Sequence, residues 1–507
     1  MYDIIEINTD NIPDIIEGSS LLDTRSSFAI SDYGEKNSEV TIWIQAYNNI
    51  EKTRNCIESV LKYTKDIDYD LLLIDNGSTD GTFEYFKSID FEKKTIIHIT
   101  KNKGPFLPQC FLNISLISKY YIALTNDMIV TSNWLNNLLR IVKSDDKIGM
   151  VNPVSSNVSN LQNIDFAFTD FDDMQKKAAK FNVSDPKKWH ERLRLITLGA
   201  LYKKECLLAI GLPISDVGFA HNFSDDDITF RVRRAGYKAI LAGDTWVHHD
   251  DDKKNLPIEK AVQIQKDLNI GRENFRDKYF GIDAWDDVNN FIPHFLQVLK
   301  QPSSNEKPSV LGIDTRCGTP VLEIKNHLRS YNIFDADCYA YTTDGKYVID
   351  LQTFCGANRV FAGEINRFRD HFDTETLDYI VVGNDINTYN DPFNIIKSAF
   401  DLLKKGGQLF ISLQNVNNIF EFLYSIGHVK VQNPVHALNY TVEEFLGKLQ
   451  QKGYNARFIS ASYFSNTVVS ESLAKSVYDV LKMLSVKELE ETIFRLRAER
   501  FYYVIEK

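Results

Sequence analysis

Apolar residues fall along the chain in two alternating periods. Short unbroken apolar runs, Val40–Ala46, Tyr69–Ile74, Thr95–Ile99 and Tyr120–Thr125, read as buried strands. Between them, Ile50–Tyr63 (with Cys56, Val60 and Leu61 at helical spacing), Thr79–Ser88 and Pro108–Ser118 read as helices. Strands that alternate with helices predict a mostly parallel sheet covered on both faces. Residues 155–190 are polar and predict an excursion over the sheet edge. Leu195–Gly211 returns to strand and helix. Ser224–Gly236 follows as a helix, Ala239–Val247 as a strand and Lys253–Phe295 as mostly helix. The pattern then starts again. Val310–Ile313 and Tyr379–Val382 read as strands, and Val321–Tyr331 and Pro392–Leu403 as helices. Lys404-Lys405-Gly406-Gly407 reads as a break before a strand over Gln408–Leu413. Val442–Lys452 reads as a further helix.

Domain limits follow from this rhythm. Residues 1–38 are polar and predict an arm with one or two short strands. Residues 39–300 form the first α/β domain, with a helical extension from about residue 253. Residues 301–308 are the linker, 309–465 the second α/β domain, and 466–507 a charged helical tail. There is no internal repeat and no low-complexity tract.

Composition narrows the classes. With 507 residues, 43% hydrophobic and 25% charged, the chain is an ordinary globular protein of more than one domain. Its net charge of -11 excludes a general polyanion binder, so nucleic acid is not an expected partner. No run approaches the length of a membrane span. The acidic start MYDIIEINTDNIPDIIEG lacks the basic and apolar regions of a secretory signal. Six scattered cysteines without a C-x-x-C pair read as reduced thiols. A cytoplasmic location is the expectation.

In parallel α/β sheets, ligands gather at the carboxyl ends of the strands. The polar clusters fall at those ends: Gln45-Ala46-Tyr47-Asn48, Asp75-Asn76-Gly77-Ser78 and Asn126-Asp127. An acid followed by glycine and small residues can hold a ribose or a base. The same residues also suit a strand-to-helix turn capped by Ser78 or Thr79. Asp127 offers a hard oxygen to a divalent ion, or it caps a turn. In Ser224-Asp225-Asp226-Asp227 the acids suit a helix dipole. Helical geometry cannot send all three to one solvent face, so one can point into the cleft as a general base. His248 and His249 end a strand, where an imidazole is either a metal ligand or structural.

In order, TIWIQAYN, DNGSTDGT, NKGPFLPQ, TND, LGALYKKECLLAIGL, SDDDITFRVRRAGYK and VHH resemble a family 2 glycosyltransferase of the GT-A fold over residues 40–250. The resemblance implies a nucleotide-diphospho-sugar transferase domain that uses Mn2+ or Mg2+. Ala46, Tyr47 and Asp75 would hold the uracil and ribose of a UDP-sugar. Lys103 and Gly104 would lie near the donor. Asn126-Asp127 would stand for the D-x-D motif with Asp127 as the main metal ligand, and His248 would complete the metal or diphosphate contacts. Gly199 and Ala200 would line the sugar pocket. Asp225 would be the base, with Asp227 the alternative, because the residue before Asp225 is Ser224 rather than the family's acid. The implied reaction is an inverting displacement by an acceptor hydroxyl.

Residues 309–465 resemble a Rossmann-like class I methyltransferase domain, most clearly in LDYIVVGNDINTYNDPFNIIKSAFDLLKKGGQLFISLQN. Its cofactor segment, GIDTRCGTPVLEIK, keeps Asp314 and Gly318 but lacks the other glycines, and CYAYTT ends without an acid. S-adenosylmethionine is therefore not the expected cofactor. The domain is expected to bind an acceptor or to build a homo-oligomer. Two-module chains of this kind resemble enzymes that decorate surface structures. N-acetylglucosamine transfer to Ser or Thr of a flagellin-like protein is the leading expectation. Surface-polysaccharide synthesis, a glycan methyltransferase and a non-catalytic scaffold are the alternatives.

Overall fold

The computed structural model describes residues 2–10, 36–104, 107–110, 112, 114–212, 214–216, 219, 223–251, 258–302, 307–421, 438–464, 471–483, 485 and 487–507. Most of the expected N-terminal arm, the centre of the expected 301–308 linker and most of 213–223 lie outside them. The chain divides into two units, Met1–Asn289 and Asn290–Lys507.

The first unit is built on ten strands: β1 (Asp3–Ile7), β2 (Val40–Ala46), β3 (Tyr69–Asp75), β4 (Lys94–Ile99), β5 (Tyr120–Thr125), β6 (Met128–Ile129), β7 (Ile148–Ser155), β8 (Trp189–Glu191), β9 (Leu201–Lys203) and β10 (Lys238–His249). Among the described residues they join in the order β1-β4-β3-β2-β5-β9-β7-β10-β6, with β8 on β10. The run from β1 to β5 is parallel, and β9 is antiparallel to both of its neighbours.

Why β2 to β5 lack polar–apolar alternation is visible in the cores. Trp43, Leu72 and Ile74 enter one buried cluster, while Ile42, Ile44, Leu71 and Leu73 enter another on the opposite face. A strand covered on both faces must be apolar at every position. Each fully buried Leu or Ile contributes about 1.5–3 kcal/mol. The Ile50–Tyr63 helix buries Cys56, Ile57 and Val60 in the second cluster, which is the helical stripe visible in the sequence.

Pro108–Ser118 does not form one helix. The described residues there hold a single turn, Leu107–Cys110, and a 3-10 turn, Ile114–Leu116. Thr79–Ser88 starts later, at Thr82, because Asp80 accepts from both the amide and the hydroxyl of Thr82. The excursion over 155–190 holds a helix, Phe171–Phe181, capped by Asp170.

Among its described residues the second unit has seven strands: β11 (Ser309–Ile313), β12 (Asp337–Thr342), β13 (Val360–Ala362), β14 (Leu377–Val382), β15 (Leu403–Gln414), β16 (Asn455–Tyr463) and β17 (Ala498–Glu506). Their order is β13-β12-β11-β14-β15-β17-β16. This is a doubly wound parallel sheet extended at one edge by antiparallel β17 and β16. The chain is thus α/β in both units, with a parallel-rich sheet in each.

Three expectations are corrected here. The tail is not helical throughout. Helices Glu471–Met483 and Leu489–Arg497 are followed by β17, which lies between β15 and β16. Phe501, Tyr503 and Ile505 of β17 are buried at strand spacing, and that period-two signal ends the helical one. Lys404–Gly407 does not break the sheet. β15 runs through it, with a register shift between the Leu377–Leu403 and Tyr379–Gln408 pairs absorbing the extra residues. Residues 290–300 group with the second unit rather than the first. Phe295 packs on Phe410 and Tyr502, and the Gln408 side chain binds the Lys300 amide and the Val298 carbonyl.

Candidate active site

The register sets the site. Ala46 pairs with Asp75, and Gln45 with Thr125, so the ends of β2, β3 and β5 share one edge. The turns beyond them are tied together. Asn48 accepts from the Thr79 amide at 2.8 Å and its own amide donates to Ser78 Oγ at 2.9 Å. Asn48 and Asn49 take left-handed backbone, which asparagine tolerates best after glycine. Ala46 is buried and Tyr47 is 48% exposed, so of this pair only the ring of Tyr47 presents surface at the edge.

Asp75 is fully buried. Its Oδ2 meets His98 Nδ1 at 2.7 Å and its Oδ1 accepts from the Ser78 amide at 3.0 Å. His98 stacks on Phe83 with ring centroids 3.9 Å apart. Behind this pair, Gly77 lies so close to the next loop that a Cβ would stand 2.4 Å from the Asn102 nitrogen. Only glycine allows the 75–78 turn to seat against 101–104. Asn76 donates from its side chain to the Gly104 carbonyl at 3.1 Å, and Asn102 accepts from the Gly104 amide at 2.7 Å. Lys103 and Gly104 are therefore held beside the Asp75 turn.

At the end of β5 the two residues of Asn126-Asp127 part. Asn126 turns inward and donates from Nδ2 to the Asn48 carbonyl and to Thr53 Oγ1, both at 2.9 Å. A carboxylate could not donate to that carbonyl, so the neutral residue at this place clamps the β2 turn. Asp127 turns to His249, whose Nε2 stands 3.5 Å from Oδ2. Thr125 donates to Oδ1 of the same carboxylate. Burial alone would raise Asp127, but these partners outweigh it and hold the carboxyl below its ordinary value. Burial likewise pushes His249 down, and its contact with Asp127 more than reverses this.

His248, the expected ligand, faces away from Asp127, and His249 faces it. Pairing of β6 with β10 sets His249 opposite Met128, the neighbour of Asp127. His248 points the other way. Its Nδ1 bonds Ser156 Oγ at 2.8 Å and its ring lies beside Trp246 in the core. The strand period carried this signal, because residues two apart share a face and Trp246 is a core residue.

The helix Ser224–Arg234 sorts its three acids. Asp227 is fully buried, bonded to Arg231 at 2.8 Å, to Tyr279 Oη at 2.6 Å and paired with Lys278. It is structural, which removes it as the alternative base. Asp226 is buried against Arg194; burial pushes its carboxyl up to about 6 against the pull of that guanidinium. Asp225 alone stays partly exposed. Its Oδ1 accepts from the amide and the hydroxyl of Thr197. Gly199, with φ at +65°, brings its backbone against Met128 Cε and Pro153, and Ala200 is buried beside it. Thr197 and His98 are polar side chains at this edge that motif reading missed.

Mn2+ and Mg2+ accept carboxylate oxygen and tolerate imidazole nitrogen. Asp127 and His249 offer one of each, so this pair fits a divalent ion. Among the described residues no group of three or more His, Cys, Asp or Glu could hold one. The protein would then supply two donors and leave other positions for ligand oxygens.

Residues 41–185 match the family model "Glycosyl transferase family 2". That segment is a family 2 glycosyltransferase domain. Among solved structures, GalNAc-T7 with UDP, GalNAc and Mn2+ is similar at 15% identity and TM-score 0.33, over 43% of this chain and 44% of that one. The chain therefore spans under half of that protein's length. The mannosyltransferase PcManGT from Pyrobaculum calidifontis, in complex with GDP-Man and Mn2+, is similar at 16% identity and TM-score 0.35, over 53% of this chain and 75% of that one. A SAM dependent methyltransferase from Archaeoglobus fulgidus is similar at 13% identity and TM-score 0.27, over 40% and 86%. No curated protein matches the chain.

At the end of β11, Asp314 accepts from the Thr343 amide, the Thr343 hydroxyl and the Tyr389 hydroxyl, between 2.7 and 2.9 Å. A Cβ on Gly318 would stand 2.5 Å from Phe354, and one on Gly383 would stand 2.3 Å from the Asp314 carbonyl oxygen. These two glycines let neighbouring segments of the chain pack closely. Among the described residues no helix is long and apolar enough to cross a membrane.

Proposed function

We propose that the first unit transfers a sugar from a UDP-sugar to an acceptor hydroxyl, with inversion, using a divalent ion. The observation that carries the metal site is the pairing of Asp127 with His249 at the carboxyl edge of the sheet, inside and beside a family 2 domain. When bound there, the ion neutralises charge on the departing diphosphate. The chain's own residues do the rest. The exposed ring of Tyr47 and the 101–104 loop flank the nucleotide, with Asp75 behind them. The Gly199–Ala200 backbone borders the sugar.

Asp225 takes the proton from the acceptor hydroxyl. As it does so, that oxygen forms its bond to the anomeric carbon. The bond from that carbon to the diphosphate oxygen breaks, and UDP leaves carrying the electron pair. The transition state has oxocarbenium character. Attack from the face opposite the nucleotide inverts the centre in one step.

The leading sugar is N-acetylglucosamine and the leading acceptor a Ser or Thr hydroxyl of a flagellin-like protein in a bacterial cytoplasm. A surface polysaccharide is the second acceptor class. Calorimetry of UDP with and without Mn2+ tests the metal site. The proposal expects Mn2+ to tighten UDP binding in the wild type and in His248→Ala, and to have little effect in His249→Ala. Equal Mn2+ effects in all three proteins would refute it.

A further inference from the structure

We infer that Thr197 is a positioning residue that aims the Asp225 carboxylate, and that the segment Thr197–Ala200 fixes the base relative to the sugar and metal sides of the site. This deepens the glycosyl-transfer reading and rests on it.

Three contacts converge on the segment from separate elements. Thr197 gives Asp225 Oδ1 both a backbone N–H, at 3.2 Å, and a side-chain O–H. Two donors on one oxygen fix the rotation of the carboxylate and leave its second oxygen to receive a proton. Next, Asn152 of β7 donates from Nδ2 to the Leu198 carbonyl at 3.3 Å. Then Gly199, in left-handed backbone, would place a Cβ 3.0 Å from Met128 Cε, one residue beyond Asp127. Within four residues the chain touches the base, a core strand and the neighbour of the metal ligand.

Tyr202, which is 2% exposed, lies beside Thr197 and Asp225. Burial, with the Asp225 charge nearby, holds this phenol well above its ordinary value, so it remains a donor. Asp225 also faces the carboxylate of Asp226, which Arg194 occupies. Neither of those groups can replace the Thr197 hydroxyl.

A small displacement of a catalytic group costs roughly a hundredfold in rate. Thr197→Val keeps the shape and removes only the O–H. The expected result is a fall in kcat of about tenfold to a hundredfold, with KM for the UDP-sugar and the affinity for UDP within about twofold of wild type. Thr197→Ser restores the O–H and should return kcat to within about threefold of wild type. If Val and Ser variants lose kcat equally, or if the Val variant loses UDP affinity in step with kcat, Thr197 is only structural and the assignment fails alone. If the wild type turns over no UDP-sugar, the glycosyl-transfer reading fails and takes the assignment with it.

Discussion

Both units present an acid at the carboxyl edge of a parallel sheet, yet the two acids differ in what is left for a ligand. Asp314 of the second unit is 5% exposed and spends both oxygens on Thr343 and Tyr389. Asp225 of the first unit spends one oxygen on Thr197 and remains partly exposed, and Asp127 meets an imidazole rather than a fixed cation. The same architecture therefore leaves an acid partly open in one half and packs one completely in the other. What separates them is how completely each acid is satisfied by its own chain.

The largest expected effect breaks the comparison on the reactive side. Asp225→Asn should lower UDP-sugar turnover by about 10²–10⁴-fold while UDP affinity stays constant, measured by nucleotide release beside calorimetry. Next, His249→Ala should lower metal-supported turnover by at least about tenfold, and His248→Ala by much less, read as turnover across a Mn2+ titration.

On the packed side, Asp314→Ala should leave UDP-sugar turnover intact. It should cost about 1–3 kcal/mol in urea unfolding of the second unit, because Thr343 and Tyr389 lose their acceptor. An active-site role for Asp314 would show as lost turnover in a folded protein.

The smallest effect sharpens the contrast within the first unit. Asp283 is 4% exposed and consumed by Arg272 and Arg276. Burial alone would raise its carboxyl, but the Arg272 bond and the Trp285 and Asp286 amides outweigh that and hold it at about 2. Its folded value lies below the unfolded one, so its stabilisation is present above about pH 4 and is lost as pH falls toward 2. The contribution is on the order of 1–2 kcal/mol, and Asp283→Asn should flatten that part of the acid unfolding curve.

Most of the fold was legible because period and burial agree. β2 and the Ile50–Tyr63 helix match the expected bounds residue for residue. Two elements hid for physical reasons. β7 contains Pro153, which speaks against an interior strand, and β17 follows directly on a charged helix whose spacing masks its alternation. In the site, the motif positions were visible but not the direction of each side chain. Adjacent residues such as His248 and His249, or Asn126 and Asp127, differ only in the way they face. Asp225, Asp226 and Asp227 are told apart by Thr197, Arg194 and Lys278, which lie far away in sequence.

The most direct test is a donor panel. The protein is mixed with UDP-, GDP- and dTDP-sugars, with Mn2+ or with a chelator, and released nucleotide is measured. The account predicts slow release from a UDP-sugar that requires the metal and vanishes in Asp225→Asn. No release from any donor, together with no UDP binding by calorimetry, would contradict it.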